Sequence, residues 1–165
     1  MFDTPSLLMT LPEMVLAGTG LILLMIAAYV GDGSARLLGW LSVAALALAG
    51  WSLCPAWMQG GEAFGGLYRA DAFAAFAKML IYAAAAVCIL VAPRFFEAGA
   101  TDGARAIRAE YPVLILFSCV GMGLMVSAGD MLTLYVGLEM QSLSAYILAS
   151  FMRQDGRSAE AGLKY

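Results

Sequence analysis

The segment MLTLYVGLEMQSLSAYILASF, residues 131–151, decides how the chain folds. It is long and apolar enough to cross a bilayer, which takes roughly 20 mainly apolar residues. Its middle holds the acid Glu139, and the segment has no basic residue to pair with it. A charged carboxylate near the centre of a bilayer costs on the order of 3 kcal/mol. The segment therefore predicts a membrane helix in which Glu139 has a specific role.

The composition of the whole chain also favours a membrane protein. Of its 165 residues, 62% are hydrophobic and 13% are charged, whereas soluble domains have roughly 45–50% and 25%. The net charge of −3 comes without a basic run, so nucleic acid is not a predicted partner. The chain has no histidine, no Cys-x-x-Cys pair and no glycine-rich nucleotide loop. We therefore predict no metal site and no cofactor in this chain.

Five apolar stretches predict an all-α fold, a polytopic bundle of transmembrane helices that forms one region over residues 1–165. Stretches rich in Gly and Asp separate them and predict turns. The predicted spans are about residues 11–30, 35–54, 72–91, 111–128 and 131–151, with the start of a sixth at residue 159. The last residue lies inside a helical pattern without a stop signal, so we expect the chain to be the first part of a longer protein.

Basic residues predict the orientation of this bundle. They concentrate after the first, third and fifth spans, as Arg36, Arg94, Arg105, Arg108, Arg153 and Arg157. The even-numbered connections contain only Arg69, and the N-terminal tail contains no Lys or Arg. Basic loops face the cytoplasm. The N-terminus is therefore predicted to lie outside.

Several charged residues near helix starts have structural interpretations. In TLPE, Thr10 and Glu13 have the spacing of a capping box at the start of the first span. Lys78 lies about a turn and a half inside the third span. Its side chain either extends to the lipid headgroups or faces an ion pathway, and the sequence leaves both open. Three further acids are predicted to be helix-entry residues: Asp71, Glu110 and Asp130.

Glu139 belongs to a stripe of polar side chains. At 100° per residue, an arc of roughly 80° contains Tyr135, Glu139, Ser142, Tyr146, Ser150 and Arg153. Glu139 itself lies about 14 Å along the helix, near the middle of a bilayer about 30 Å thick. The stripe predicts the wall of a hydrated path or a seam against other polar helices. Glu139 is then either a proton-transfer group or a neutral, hydrogen-bonded glutamate at a helix interface.

Lys164 is a candidate for the cation that acts on Glu139. Ser158 is predicted to cap the sixth helix, which would place Lys164 about a turn and a half inside it. The alternative is an exposed ion pair between Lys164 and Glu160, four residues apart. The sequence supports these two interpretations equally.

Residues 110–165 resemble the N subunit family of bacterial NADH:quinone oxidoreductase, respiratory complex I. The most specific stretches are MVSAGDMLTLYVGLEMQSLSAYILA and SAEAGLKY. Weaker matches in LPEMVL and GGLYRADAFAAFAKML extend the resemblance over the whole chain. It is greatest to the alphaproteobacterial form, and to the N-terminal third of that subunit only.

The resemblance implies an antiporter-like, proton-translocating subunit of the bacterial inner membrane with a periplasmic N-terminus. It implies that Glu139 is essential for proton translocation, that a lysine on the seventh helix pairs with it, and that Lys164 contributes. NADH, FMN, the iron–sulfur clusters and quinone would be bound by other subunits of the complex. The implied partners are the other membrane subunits and the lipid bilayer. The alternative is a subunit of a multicomponent cation/proton antiporter, with the same fold and no NADH oxidation.

Overall fold

The computed structural model describes residues 4–54, 60–98, 108–152 and 156–164. Within these ranges the chain forms helices α1 (Thr4–Met9), α2 (Leu11–Val30), α3 (Ala35–Ser52), α4 (Ala72–Ala98), α5 (Glu110–Val126), α6 (Met131–Ala149) and α7 (Gly156–Lys164). A short hairpin of strands β1 (Gly61–Ala63) and β2 (Tyr68–Ala70) precedes α4. The predicted all-α class is confirmed, with this hairpin as an addition in the connection between the second and third predicted spans.

Three of the described helices are long and apolar enough, by length and composition alone, to cross a membrane. They are α2, α3 and residues 72–94 of α4. Helix α5 is apolar but shorter. Helix α6 has 19 residues, but Glu139 and Gln141 lower its hydropathy and it is not among the three. The five predicted spans thus correspond to five helices, of which α4 extends beyond the predicted end near residue 91.

Two of the predicted helix-entry acids cap their helices. The N–H of Ala74 donates to Asp71 Oδ1 at 2.7 Å at the start of α4. The N–H of Thr133 donates to Asp130 Oδ1 at 3.0 Å at the start of α6. Each bond satisfies a backbone donor that the first turn of a helix leaves free.

The predicted capping box at Thr10 is wrong. Helix α1 directly precedes α2, so the carbonyls of its last turn are available as acceptors. Thr10 Oγ1 lies 3.3 Å from the carbonyl of Leu7, to which it donates, and it makes no capping bond to α2. Glu13 points into the bundle and is buried. Glu13, which the sequence predicts to cap the start of α2, therefore has another role.

Helices α2 to α5 surround the core, and α6 packs along α5. The core consists mostly of leucine and alanine, including Leu16, Leu38, Leu46, Ala49 and Leu116. Where α5 and α6 meet, a Cβ on Gly121 would lie 2.6 Å from the backbone N of Gln141 and 2.7 Å from the carbonyl oxygen of Gly137. These two glycines let the helix backbones touch, as small residues do between membrane helices.

The hairpin closes one end of this bundle. Its strands pair antiparallel, with Gly61 opposite Ala70, and the turn between them uses two glycines at positive φ, Gly65 and Gly66. Two backbone bonds fasten it to the connection between α5 and α6: the N–H of Arg69 donates to the carbonyl of Ser127 at 2.8 Å, and the N–H of Gly129 to that of Leu67 at 2.9 Å. We call this region, where α2 and α4 begin and α5 ends, the hairpin end.

The predicted cap at Ser158 is also wrong. Helix α7 begins two residues earlier, at Gly156. The Ser158 hydroxyl donates to the carbonyl of Ala149 at 2.9 Å and accepts from the N–H of Met152 at 3.2 Å. Ser158 therefore stabilises the end of α6 because the chain turns back there.

Candidate functional site

Two charged side chains meet inside the hairpin end. Lys78 Nζ lies 2.5 Å from Glu13 Oε1, and only 2% of the Lys78 side chain and 6% of the Glu13 side chain are accessible. The pair joins α4 to α2. Of the two interpretations that the sequence leaves open for Lys78, extension to the headgroups is therefore wrong, since an acid on the neighbouring helix holds its ammonium group inside.

Tyr68 completes this group from the hairpin. Its hydroxyl donates to Glu13 Oε2 at 2.9 Å and accepts from Lys78 Nζ at 2.6 Å. Burial, followed by the nearby Glu13 carboxylate, raises the pKa of Tyr68 above its ordinary value. The phenol therefore keeps its proton and remains a donor. We call Glu13, Lys78 and Tyr68 the buried triad.

The surroundings of the triad are polar on the bundle side. Tyr82, one turn beyond Lys78 on α4, is buried, and its hydroxyl has no hydrogen-bond partner among the described residues. A Cβ placed on Gly123 would lie 3.1 Å from Glu13 Oε1 and 3.6 Å from the Tyr82 hydroxyl. Because Gly123 has no side chain, nothing at this position separates Glu13 Oε1 from the Tyr82 hydroxyl. A chain of acid, amine and phenol groups in this arrangement can hold or pass a proton.

Sequence reasoning missed this triad because its members come from three separate elements. Glu13 and Lys78 are 65 positions apart, and Tyr68 lies in the connection between the second and third predicted spans. The available signal was an acid and a base placed at similar depth from the same predicted surface, Glu13 near the start of the first span and Lys78 near the start of the third. Similar depth suggests an ion pair between Glu13 and Lys78 only once the two helices are known to be neighbours.

Within the described residues, Glu139 lies on an exposed face of α6. The neighbouring Tyr135 is 56% accessible and interacts with the Glu139 carboxyl group. Tyr146 is also exposed and Ser142 is half-buried, so the predicted stripe faces away from the core. Among the described residues Glu139 makes no ion pair. Arg153, at the end of the predicted stripe, lies outside the described residues.

Lys164 does not meet Glu139. Its ammonium group lies 2.5 Å from Glu160 Oε1, and the two side chains are 73% and 62% accessible. The structure therefore has the exposed pair, four residues apart along α7, which was one of the two interpretations of the sequence. Glu139 and Lys164 lie on separate helices, and no described contact joins them.

The described residues contain no group of three or more His, Cys, Asp or Glu side chains able to hold a metal ion. The candidate functional groups in the described part of the chain are ionisable side chains: the buried triad at the hairpin end and the exposed acid on α6.

Comparisons with known proteins agree with the resemblance in the sequence. A family described as NADH:quinone oxidoreductase/Mrp antiporter, TM, matches residues 128–165. A protein named NADH-quinone oxidoreductase subunit N from Rhizorhabdus wittichii is 64% identical over 162 residues, which cover 98% of this chain and 33% of the relative. Proteins of the same name from Erythrobacter litoralis and Sphingopyxis alaskensis are each 52% identical, over 97% and 98% of this chain and 33% of each relative.

The chain thus spans about a third of the length of the curated relatives it matches. The match includes both α6 with Glu139 and the N-terminal helices with the buried triad. These relatives confirm that the chain resembles the N-terminal third of the N subunit of bacterial NADH:quinone oxidoreductases.

Proposed function

We propose that the chain is part of a proton-translocating membrane subunit of NADH:quinone oxidoreductase. The complex would couple NADH oxidation and quinone reduction to proton transfer across the membrane. The similarity to proteins named subunit N over almost the whole chain supports this proposal. NADH, FMN, iron–sulfur clusters and quinone would bind to other subunits of the complex. The proposed location is the bacterial inner membrane, with the N-terminus and the hairpin end on the periplasmic side.

The observation that carries the proposal is the position of Glu139. Its carboxyl group lies in the middle of α6, on a polar face that includes Tyr135 and that no described helix covers. Acids inside membrane helices usually face protein or water and mark ion pathways. Such a face lets a neighbouring helix bring a cation to the acid.

The proposed mechanism is an alternation of the charge near Glu139. A cation close to the carboxylate stabilises its charged form, and withdrawal of the cation leaves the acid to bind a proton. Tyr135 would orient the carboxyl group, and Ser142 and Tyr146 would continue the polar path along α6. Lys164 would contribute by leaving its exposed pair with Glu160, which holds it only weakly because exposed pairs are worth little.

The experiment is Glu139→Gln in the complete complex that carries this chain. Glutamine keeps the shape of glutamate but cannot release a proton. We expect proton pumping driven by NADH and quinone to slow by about 100-fold, the low end of what a positioned acid–base group contributes. Glu110→Gln is the matched control, since this exposed acid lies in the first turn of α5 and outside the stripe. Normal pumping by Glu139→Gln would contradict the proposed role.

A subunit of a cation/proton antiporter is the second candidate. The description of the matching family names both classes of protein. Purification of the intact membrane assembly separates them. Flavin and iron–sulfur subunits that copurify with the chain support the NADH:quinone oxidoreductase, whereas cation/proton exchange by an assembly without those subunits supports the antiporter.

A further inference from the structure

We propose that the buried triad is a second proton-binding site, at which Glu13 takes up and releases one proton beside Lys78 and Tyr68 at the hairpin end. The inference rests on the proposed function and deepens it. Glu139 lies in the middle of α6, whereas the triad lies under the hairpin that closes the proposed outer end of the bundle. The triad would therefore bind a proton on its path between the membrane interior and the outer surface.

Burial of both charges is the first argument. An ion pair removed from water loses much of its attraction to the cost of desolvation, and apolar residues of similar volume often stabilise a protein as well or better. The core of the bundle otherwise consists mostly of leucine and alanine. Holding two charges and a phenol together there contributes little that apolar packing would not provide. A role in proton exchange would explain why charged and phenolic side chains occupy these core positions.

The geometry around Glu13 is the second argument. Its two carboxyl oxygens have different neighbours: Oε2 accepts from Tyr68, and Oε1 lies beside Lys78 and faces Gly123. The buried Tyr82 hydroxyl, which has no hydrogen-bond partner in the described part of the chain, lies across Gly123 from Oε1. Buried hydroxyls are almost always hydrogen-bonded. Tyr82 is therefore placed to hydrogen-bond to a proton carrier that approaches Oε1 from the bundle.

The other groups around the triad leave Glu13 as the proton acceptor. Asp71, the cap of α4, interacts with Lys78. From α5, Ser127 interacts with Tyr68 and Cys119 with Tyr82. On the outer face of the hairpin, Arg69 forms an exposed pair with Glu62 at 3.1 Å. The Lys78 ammonium has no lone pair to accept a proton, and a neutral phenol is a far weaker base than a carboxylate, so a further proton binds to Glu13.

The proton balance of the site is simple. Before uptake the triad contains the Lys78 ammonium, the Glu13 carboxylate and the neutral Tyr68 phenol, with no net charge. One proton delivered by water binds to Glu13 Oε1 and gives a carboxylic acid, so the triad gains one positive charge. Release of that proton to water restores the first state, and no electron is transferred.

The test is the double variant Glu13→Gln/Lys78→Met in the complete membrane complex. This variant removes both charges and keeps the side-chain volumes similar, so a purely structural pair loses little by it. We expect the complex to assemble and proton pumping to slow by about 100-fold, because the proton acceptor is gone. Glu62→Gln/Arg69→Met is the matched control, which removes an exposed pair from the same hairpin and leaves pumping unchanged. Normal pumping by the assembled Glu13→Gln/Lys78→Met variant would overturn the proposal.

A second measurement does not depend on NADH-driven pumping. Infrared difference spectra of the complex, recorded between acidic and alkaline buffers, detect carboxylic acids that gain a proton. We expect one such band to be present in the complex and in Glu139→Gln, and to be lost in Glu13→Gln. A set of bands unchanged by Glu13→Gln would overturn the site. If the unaltered complex shows the band without NADH-driven pumping, the proposed function fails while the site stands.

Discussion

Glu13 on α2 and Glu139 on α6 have opposite surroundings. Glu13 is buried, and within this chain it has a cation at 2.5 Å and a phenol at 2.9 Å. Glu139 is exposed on α6, has Tyr135 beside it and makes no ion pair with any described residue. The acid that the sequence suggests is an ordinary helix cap therefore has an ion-pair partner among the described residues, and the acid that stands out in the sequence has none.

The difference lies in where the neighbours of each carboxylate come from. Glu13 is held in one arrangement by contacts from α4 and the hairpin, so its surroundings are built into this part of the fold. Glu139 lies on an exposed polar face, so in the proposed mechanism the charge that acts on it comes from another element. Fixed surroundings suit a site that stores a proton, and changing surroundings suit a site that is switched.

The largest expected effect on stability separates the two acids directly. Lys78→Met leaves Glu13 buried without its cation, and we expect the free energy of unfolding to fall by about 3–5 kcal/mol. Lys164→Met removes only an exposed pair, and we expect a change of about 0.5 kcal/mol or less. Thermal unfolding of the detergent-solubilised protein measures both. Equal losses in the two variants would contradict the distinction between the partnered and the open region.

A smaller effect is expected where α6 meets the rest of the bundle. In Gly121→Ala the new Cβ would press on the backbone of Gln141 and Gly137. We expect the free energy of unfolding to fall by about 1–3 kcal/mol, as in other overpacked contacts. Gly18→Ala is the control, because nothing lies within 4 Å of a Cβ at this exposed position. Unchanged stability in Gly121→Ala would show that α6 is free to move away from α5.

The tyrosines beside the two acids allow a matched comparison. Tyr68→Phe leaves a buried carboxylate and a buried ammonium each short of a hydrogen bond, so we expect a loss of about 1–3 kcal/mol in unfolding free energy. Tyr135→Phe alters an exposed position and should change stability by about 0.5 kcal/mol or less. Chemical denaturation of the two variants under the same conditions checks this order. A larger loss in Tyr135→Phe would mean that Glu139 is the more tightly held acid.

The smallest effect concerns the first turn of α6. The hydrogen bonds from Thr133 hold the pKa of Asp130 below its ordinary value. The folded state therefore gains stability above the pKa of an unfolded aspartate, about 3.9. This stability is lost as the pH falls through the lower pKa of the folded protein. We expect amide exchange at Thr133, relative to distant helices, to increase under acid, and Asp130→Asn to weaken this response because asparagine caps without a charge.

The sequence was sufficient to predict the five long apolar helices, α2 to α6. Apolar runs separated by glycine-rich turns placed the starts of α2, α3 and α4, since a membrane helix has to hide its backbone within its own segment. The caps at Asp71 and Asp130 followed for the same local reason. The polar stripe on α6 could also be predicted, because helical periodicity alone defines a face.

Contacts between helices could not be predicted in this way. Thr10 and Glu13 match a capping box in spacing, but α1 supplies other acceptors for Thr10 and the cation on α4 attracts Glu13 inward. The hairpin that carries Tyr68 depends on backbone bonds to Ser127 and Gly129 about 60 positions away. Such pairings depend on which elements become neighbours, and the local pattern does not contain that information.

The protonation of Glu139 during turnover is the most direct test of the central claim that this acid carries the transported proton. Infrared difference spectra of the complete complex before and after addition of NADH and quinone record the carboxyl groups that change state. We predict a carboxylic acid band that changes during turnover and is absent in Glu139→Gln, together with slow pumping by that variant. A Glu139→Gln complex with the same bands and normal pumping would contradict the claim.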